Sequence, residues 1–185
     1  MAEVVLVHGL WYRAWSMKVL ADRLAAAGFA VRRFSYPTRT RSLAQNAEAL
    51  AGFCEKLRAD ELHFVAHSLG GLVVLHMLDG QAEPPPGRVV LLGTPLAGSE
   101  VAVRSTRMPG GSFLLGQAAA ALSAGRARIS TSRQTGMIAG TRPVGLGRIT
   151  GALPEPNDGT VSVEETRHED LADRTELPVT HTGML

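Results

Sequence analysis

Val4-Val5-Leu6-Val7 and Val89-Val90-Leu91-Leu92 each run four residues with no polar side chain to turn toward water. Side chains along a strand alternate between faces, so a run apolar on both faces must be covered on both. That is the condition of a strand inside a parallel sheet. Leu62–Ala66 and Met137–Ala139 read the same way, with Phe29–Tyr36, stopped by Pro37, as a further strand and a last one near Leu177-Pro178-Val179. Helical spacing fills the gaps. Met17, Leu20, Leu24 and Ala27 recur at intervals of three and four, with Ser16 placed to cap the start and Gly28 to stop the end. Ser42-Leu43-Ala44-Gln45 has the form of a capping box, and Leu43, Ala47, Leu50, Cys54 and Leu57 share the face that follows. Leu69–Leu78 is a nearly all-apolar helix. The alternation predicts an α/β fold: a doubly wound, mostly parallel sheet of about six strands with helices on both faces.

The 185 residues suit a single domain, 1–185. A 45% apolar and 19% charged composition excludes a disordered chain. The charge balance, 19 − 17 = +2, is small and scattered, which argues against nucleic acid as a partner. Arginines gather between 104 and 133 and read as a solvated loop surface. The single cysteine, Cys54, sits on the apolar stripe and reads as a core thiol. No stretch approaches the roughly 18 apolar residues of an integral membrane segment, and the start Met1-Ala2-Glu3 leads into too short a run for a signal peptide. The expected location is cytoplasmic. Residues 99–134 break the strand–helix rhythm with Pro109-Gly110-Gly111 and a helical stretch from Phe113 to Leu122. They read as a cap inserted over the strand ends.

Ala66-His67-Ser68-Leu69-Gly70-Gly71 joins a strand to a helix. A turn this tight throws the serine hydroxyl away from the sheet, and small residues two before and two after let strand and helix approach. It also sets the Leu69 amide at a helix start, aimed where an oxyanion would form. The alternative is an ordinary turn with a serine cap. A serine hydroxyl needs a base, and the base a carboxylate. His181 follows the last apolar run, whereas His168 lies among Arg167, Glu169 and Asp170 as if on a solvated surface. Asp158, in Asn157-Asp158-Gly159, is the candidate acid, with Glu164, Asp170 and Asp173 behind it and a plain Asp-Gly turn as the alternative. In His8-Gly9-Leu10, the Leu10 amide is the second candidate oxyanion donor and His8 a hydrogen-bonder supporting the loop. Trp11, Tyr12 and Trp15 are candidates to line a substrate pocket, with core packing the alternative for Trp15.

With these pieces, the chain resembles the bacterial lipase and esterase branch of the α/β-hydrolase superfamily. Val7-His8-Gly9-Leu10-Trp11, Ala66–Gly71, Leu92-Gly93-Thr94-Pro95, Asn157–Val161 and Val179–Gly183 carry the resemblance. It implies a catalytic set of Ser68, Asp158 and His181, an acyl-enzyme route, a small-molecule ester or acyl substrate and no cofactor. It also implies a helix after the histidine, for which only Thr182–Leu185 remain, and the short cap argues against a large lid. An acyltransferase or thioesterase would use the same residues. A non-catalytic binding protein on this fold is the reading from another class, against which the retained acid counts.

Overall fold

The computed structural model describes residues 2–80, 84–126, 128–145, 147, 151 and 153–185. Six strands form one sheet: β1 (Ala2–Val7), β2 (Ala30–Phe34), β3 (Glu61–His67), β4 (Val89–Leu92), β5 (Thr135–Gly140) and β6 (Asp173–Leu177). Their order is β2-β1-β3-β4-β5-β6 and every pairing is parallel. All six therefore end on one edge, where Val7, His67, Leu92 and Gly140 hand the chain to loops or turns.

Strand β1 shows why its run is apolar throughout. Val5 and Val7 enter one core with Phe64, Leu72 and Leu91, while Val4 and Leu6 enter a second with Met17 and Ala21. Helices α2 (Leu43–Cys54) and α3 (Leu69–Leu78) pack on the first face and α1 (Lys18–Ala26) on the other. The capping box forms: the Ser42 hydroxyl accepts from the Gln45 N–H at 3.3 Å and the Gln45 side chain accepts from the Ser42 N–H at 3.0 Å. Cys54 is buried, and desolvation pushes its thiol up to about 12.

Several expectations are corrected. Ser16 does not cap α1: it lies in a 3-10 turn over Ala14–Met17, and its hydroxyl donates to Arg13 O. The last strand is Asp173–Leu177, earlier and more polar than Leu177–Val179 suggested; β6 is an edge strand held by backbone pairing to β5. Residues 99–134 hold three short helices, α4 (Glu100–Thr106), α5 (Gly111–Leu115) and α6 (Ala118–Ala124); Gly116, at φ 57°, splits into α5 and α6 what the pattern read as one. Trp15 is 71% exposed and is no core residue. Nor is the arginine-rich stretch simply solvated: Arg126 pairs with Asp79, and Arg133 donates to Leu62 O at 2.7 Å. No helix among the described residues is long and apolar enough to cross a membrane.

Candidate active site

Strand β3 ends at His67 and α3 begins at Leu69, so Ser68 alone must turn the chain. It does so at φ 52° and ψ −122°, outside the basins L residues ordinarily occupy. Neighbours hold that conformation in place. The Ser68 N–H donates to Leu92 O at 2.9 Å, and Ser68 O accepts from the Thr94 hydroxyl at 3.1 Å and the Gly71 N–H at 3.0 Å. A Cβ on Gly70 would lie 2.5 Å from Val7 O and 2.6 Å from His8 O, which gives the small-residue requirement after the serine its physical cause.

His181 lies in the loop after β6, beyond Pro178. Its Nδ1–H donates to Asp158 Oδ2 at 2.7 Å, and its backbone N–H donates to Asp158 O at 2.9 Å. The Asp158 side chain is almost wholly buried. Its other oxygen, Oδ1, accepts the amides of Thr160 at 2.9 Å and Val161 at 2.7 Å. Two strand-end glycines leave room for the pair. A Cβ on Gly93 would lie 3.0 Å from Asp158 Oδ2 and 3.1 Å from His181 Nδ1; one on Gly140 would lie 2.7 Å from Asp158 Cβ. Ser68 and His181 border the same cavity, and no hydrogen bond joins their side chains in this geometry.

The loop after β1 is braced by His8. Its Nε2 accepts from the Tyr36 N–H at 3.3 Å, which leaves Nδ1–H to donate to Gly9 O at 3.0 Å. The Tyr36 hydroxyl donates to His8 O at 2.8 Å, and the two rings stack at 4.5 Å. Burial lowers the His8 pKa, in keeping with a neutral ring committed at both nitrogens. Leu10 follows and borders the cavity. Trp11, at φ 64°, donates its indole N–H to Leu114 O at 3.0 Å and so fastens α5 to this loop.

The cavity measures about 700 Å³, larger than hollows of about 320 Å³ beside Pro156 and about 390 Å³ beside His168. Ser68, His181, Leu10, Trp11 and Tyr12 all border it, and α4 to α6 contribute Val101, Ala102, Leu115 and Leu122. None of its described lining residues is Asp, Glu, Lys or Arg. Leu69, the other candidate oxyanion donor, opens α3 directly after Ser68.

His168 stands apart, its side chain largely covered rather than solvated and 3.5 Å from Asp170. Of the reserve carboxylates, Glu164 pairs with Arg167, Asp170 accepts from the Ile129 N–H and Asp173 accepts from the Arg174 N–H. Three residues that frame the site were given no role in the sequence reading. Gly93 and Gly140 directly follow the apolar runs Val89–Leu92 and Met137–Ala139 and have no side chain to mark them. His67 was quoted only as part of the turn motif, yet its Nε2 lies 2.9 Å from His181 O.

A family model described as the alpha/beta hydrolase family matches residues 4–181. By sequence, no curated protein matches the chain. Among solved structures, the mature lipase BlEst2 of Bacillus licheniformis superposes with a TM-score of 0.80 at 19% identity, covering 98% of this chain and 85% of that one. The metagenomic carboxyl esterase MGS0156 gives 0.72 at 20% identity, covering 97% and 64%. The RedJ thioesterase of Streptomyces coelicolor gives 0.63 at 16% identity, covering 97% and 78%.

Proposed function

Since the chain belongs to the alpha/beta hydrolase family, we propose that it cleaves carboxylic esters through an acyl-enzyme formed on Ser68. The observation that carries this reading is the 2.7 Å bond between His181 Nδ1 and Asp158 Oδ2. It fixes the tautomer: with its proton on Nδ1, the imidazole has its lone pair on Nε2, the form a general base requires.

The Ser68 hydroxyl oxygen attacks the ester carbonyl carbon while its proton passes to His181 Nε2. The carbonyl electron pair moves to oxygen, where the Leu10 and Leu69 amides receive the negative charge. Asp158 stabilises the imidazolium. Collapse expels the alcohol, which leaves with the proton from His181 and so leaves the acyl group on Ser68. Water then repeats the sequence, releasing the carboxylic acid and restoring the serine. A hydrogen bond from the Ser68 hydroxyl to His181 Nε2 forms when substrate binds, as is common for catalytic bonds that are open in free enzymes. The lining favours an uncharged, apolar acyl group, since a charged one would lose its hydration without gaining a partner.

The experiment is turnover of p-nitrophenyl esters of graded acyl length by the wild type and by Ser68→Ala. The expected result is hydrolysis by the wild type and a loss of at least about 10³-fold in kcat for the variant. Turnover by Ser68→Ala within tenfold of wild type would refute the mechanism.

A further inference from the structure

His67 is the residue the mechanism leaves unused. It ends β3, is fully buried, and lies between the two loops that flank Ser68. Its Nε2 is 2.9 Å from His181 O. A carbonyl only accepts, so Nε2 carries the proton and Nδ1 the lone pair. Nδ1 is buried with no hydrogen-bond partner among the described residues, and it faces the first loop: a Cβ on Gly9 would lie 2.8 Å from it. The ring centroid is 4.5 Å from that of His181, and the Tyr12 ring meets it edge-on at 5.9 Å.

A side chain there only to fill space would be cheaper as leucine or phenylalanine. An imidazole with one orphaned nitrogen bears desolvation and recovers a bond at the other nitrogen alone. That one bond falls on the peptide of His181. The His181 N–H is held by Asp158 O at 2.9 Å and its C=O by His67. The base is thus clamped on both sides, and one of the clamps is the residue directly before the nucleophile.

We propose that His67 is a positioning residue: through its bond to His181 O, it ties the base to the strand that carries Ser68 and sets their separation. Burial and the neighbouring His181 hold the His67 pKa well below the usual histidine value, consistent with a ring that donates from Nε2 while neutral. The proposal rests on the catalytic reading of Ser68, Asp158 and His181.

Three forms of the full chain test it: wild type, H67L and H67Q. Glutamine places an N–H₂ near the Nε2 position and can donate to His181 O; leucine cannot. With folded protein quantified by circular dichroism, H67L should lose about 10²-fold in kcat with KM little changed, while H67Q stays within about tenfold of wild type. Proton NMR gives a readout independent of turnover. The far-downfield signal of His181 Nδ1–H bonded to Asp158 should persist in wild type and H67Q and broaden or vanish in H67L. If H67L does not fold, H67F, which keeps a ring, takes its place. Wild-type kcat in folded H67L, or H67Q no better than H67L, overturns the proposal. A wild type that turns over no ester overturns the catalytic reading and with it the role of His67 in turnover, while the NMR contrast reports separately whether His67 holds His181 in place.

Discussion

Asp158 divides its carboxylate between two tasks: Oδ2 accepts from His181 Nδ1 at 2.7 Å, and Oδ1 accepts the amides of Thr160 and Val161. The same side chain therefore orients the candidate base and closes the turn before Val161. The two tasks separate by substitution. Asp158→Asn retains an oxygen for the two amides but turns an N–H₂ toward Nδ1–H, so the imidazole settles into the unproductive tautomer. We expect kcat to fall by about 10² to 10³ with the melting temperature nearly unchanged. Asp158→Ala should lose activity and also destabilise, by about 1–3 kcal/mol for each buried amide left without an acceptor. Full activity in Asp158→Asn would place the acid elsewhere.

Gly93 has φ +55°, and a Cβ there would lie 2.7 Å from Met184 Cε as well as against Asp158 and His181. Gly93→Ala should therefore cost about 1–3 kcal/mol from the backbone alone and lower kcat by more than the lost stability explains, because the added methyl pushes on the Asp158–His181 bond. Thermal melts paired with kcat per folded molecule check this. An alanine variant with wild-type kcat would show that the pair tolerates displacement.

The legible parts of this fold are those where burial dictates chemistry on every side chain. Strands β1, β3 and β4 carry apolar runs because both of their faces are covered, and α2 announces itself through Ser42 and Gln45. Strand β6 reads Asp-Arg-Thr-Glu-Leu and is nearly all exposed, so no pattern marks it; its place follows from hydrogen bonds to β5. The Ser68 candidate was visible through its strand–turn–helix context, the Asp158 candidate through Asn157-Asp158-Gly159 and the His181 candidate through its place after the last apolar run. Gly93 and Gly140 were not, because what they leave empty is filled by residues distant in sequence. His67 was passed over for the same reason: its partner is 114 positions away.

Stability should fall in mild acid. Burial above all lowers the pKa of both His8 and His67. Their unfolded value is about 6.5. A histidine whose folded pKa is depressed gives its full stabilisation above the unfolded pKa and loses it as pH drops from there toward the folded value, at up to about 1.4 kcal/mol per pH unit for each group. Glu165 acts in the opposite sense. Desolvation raises its pKa above 4.5, so its cost is relieved as pH falls through the folded value. The histidine loss begins at higher pH and dominates between about 6.5 and 5. Melting temperatures from pH 8 to pH 5 should decline across that window, less steeply in H67Q. A flat or rising profile would mean the two rings are not held neutral.

The cap should set acyl-chain length. Ala102 on α4 is buried and borders the cavity with Leu122. Ala102→Phe would fill part of the cavity at a cost of about 1–3 kcal/mol from overpacking. We expect kcat/KM for long-chain p-nitrophenyl esters to fall by more than about tenfold, with butyrate little affected, since a few methylenes in an apolar pocket are worth about 1–3 kcal/mol each. An unchanged chain-length profile would place the acyl group outside this cavity.

The account stands or falls on an activated serine at position 68. The direct measurement is covalent labelling by a fluorophosphonate, followed by intact-mass and peptide-mass analysis. The account predicts one adduct per chain, located on the peptide containing Ser68, absent in Ser68→Ala and slowed by at least about 10²-fold in His181→Ala, with His168→Ala labelling at the wild-type rate. No adduct on the folded wild type, an adduct on another residue, or undiminished labelling of His181→Ala would contradict it.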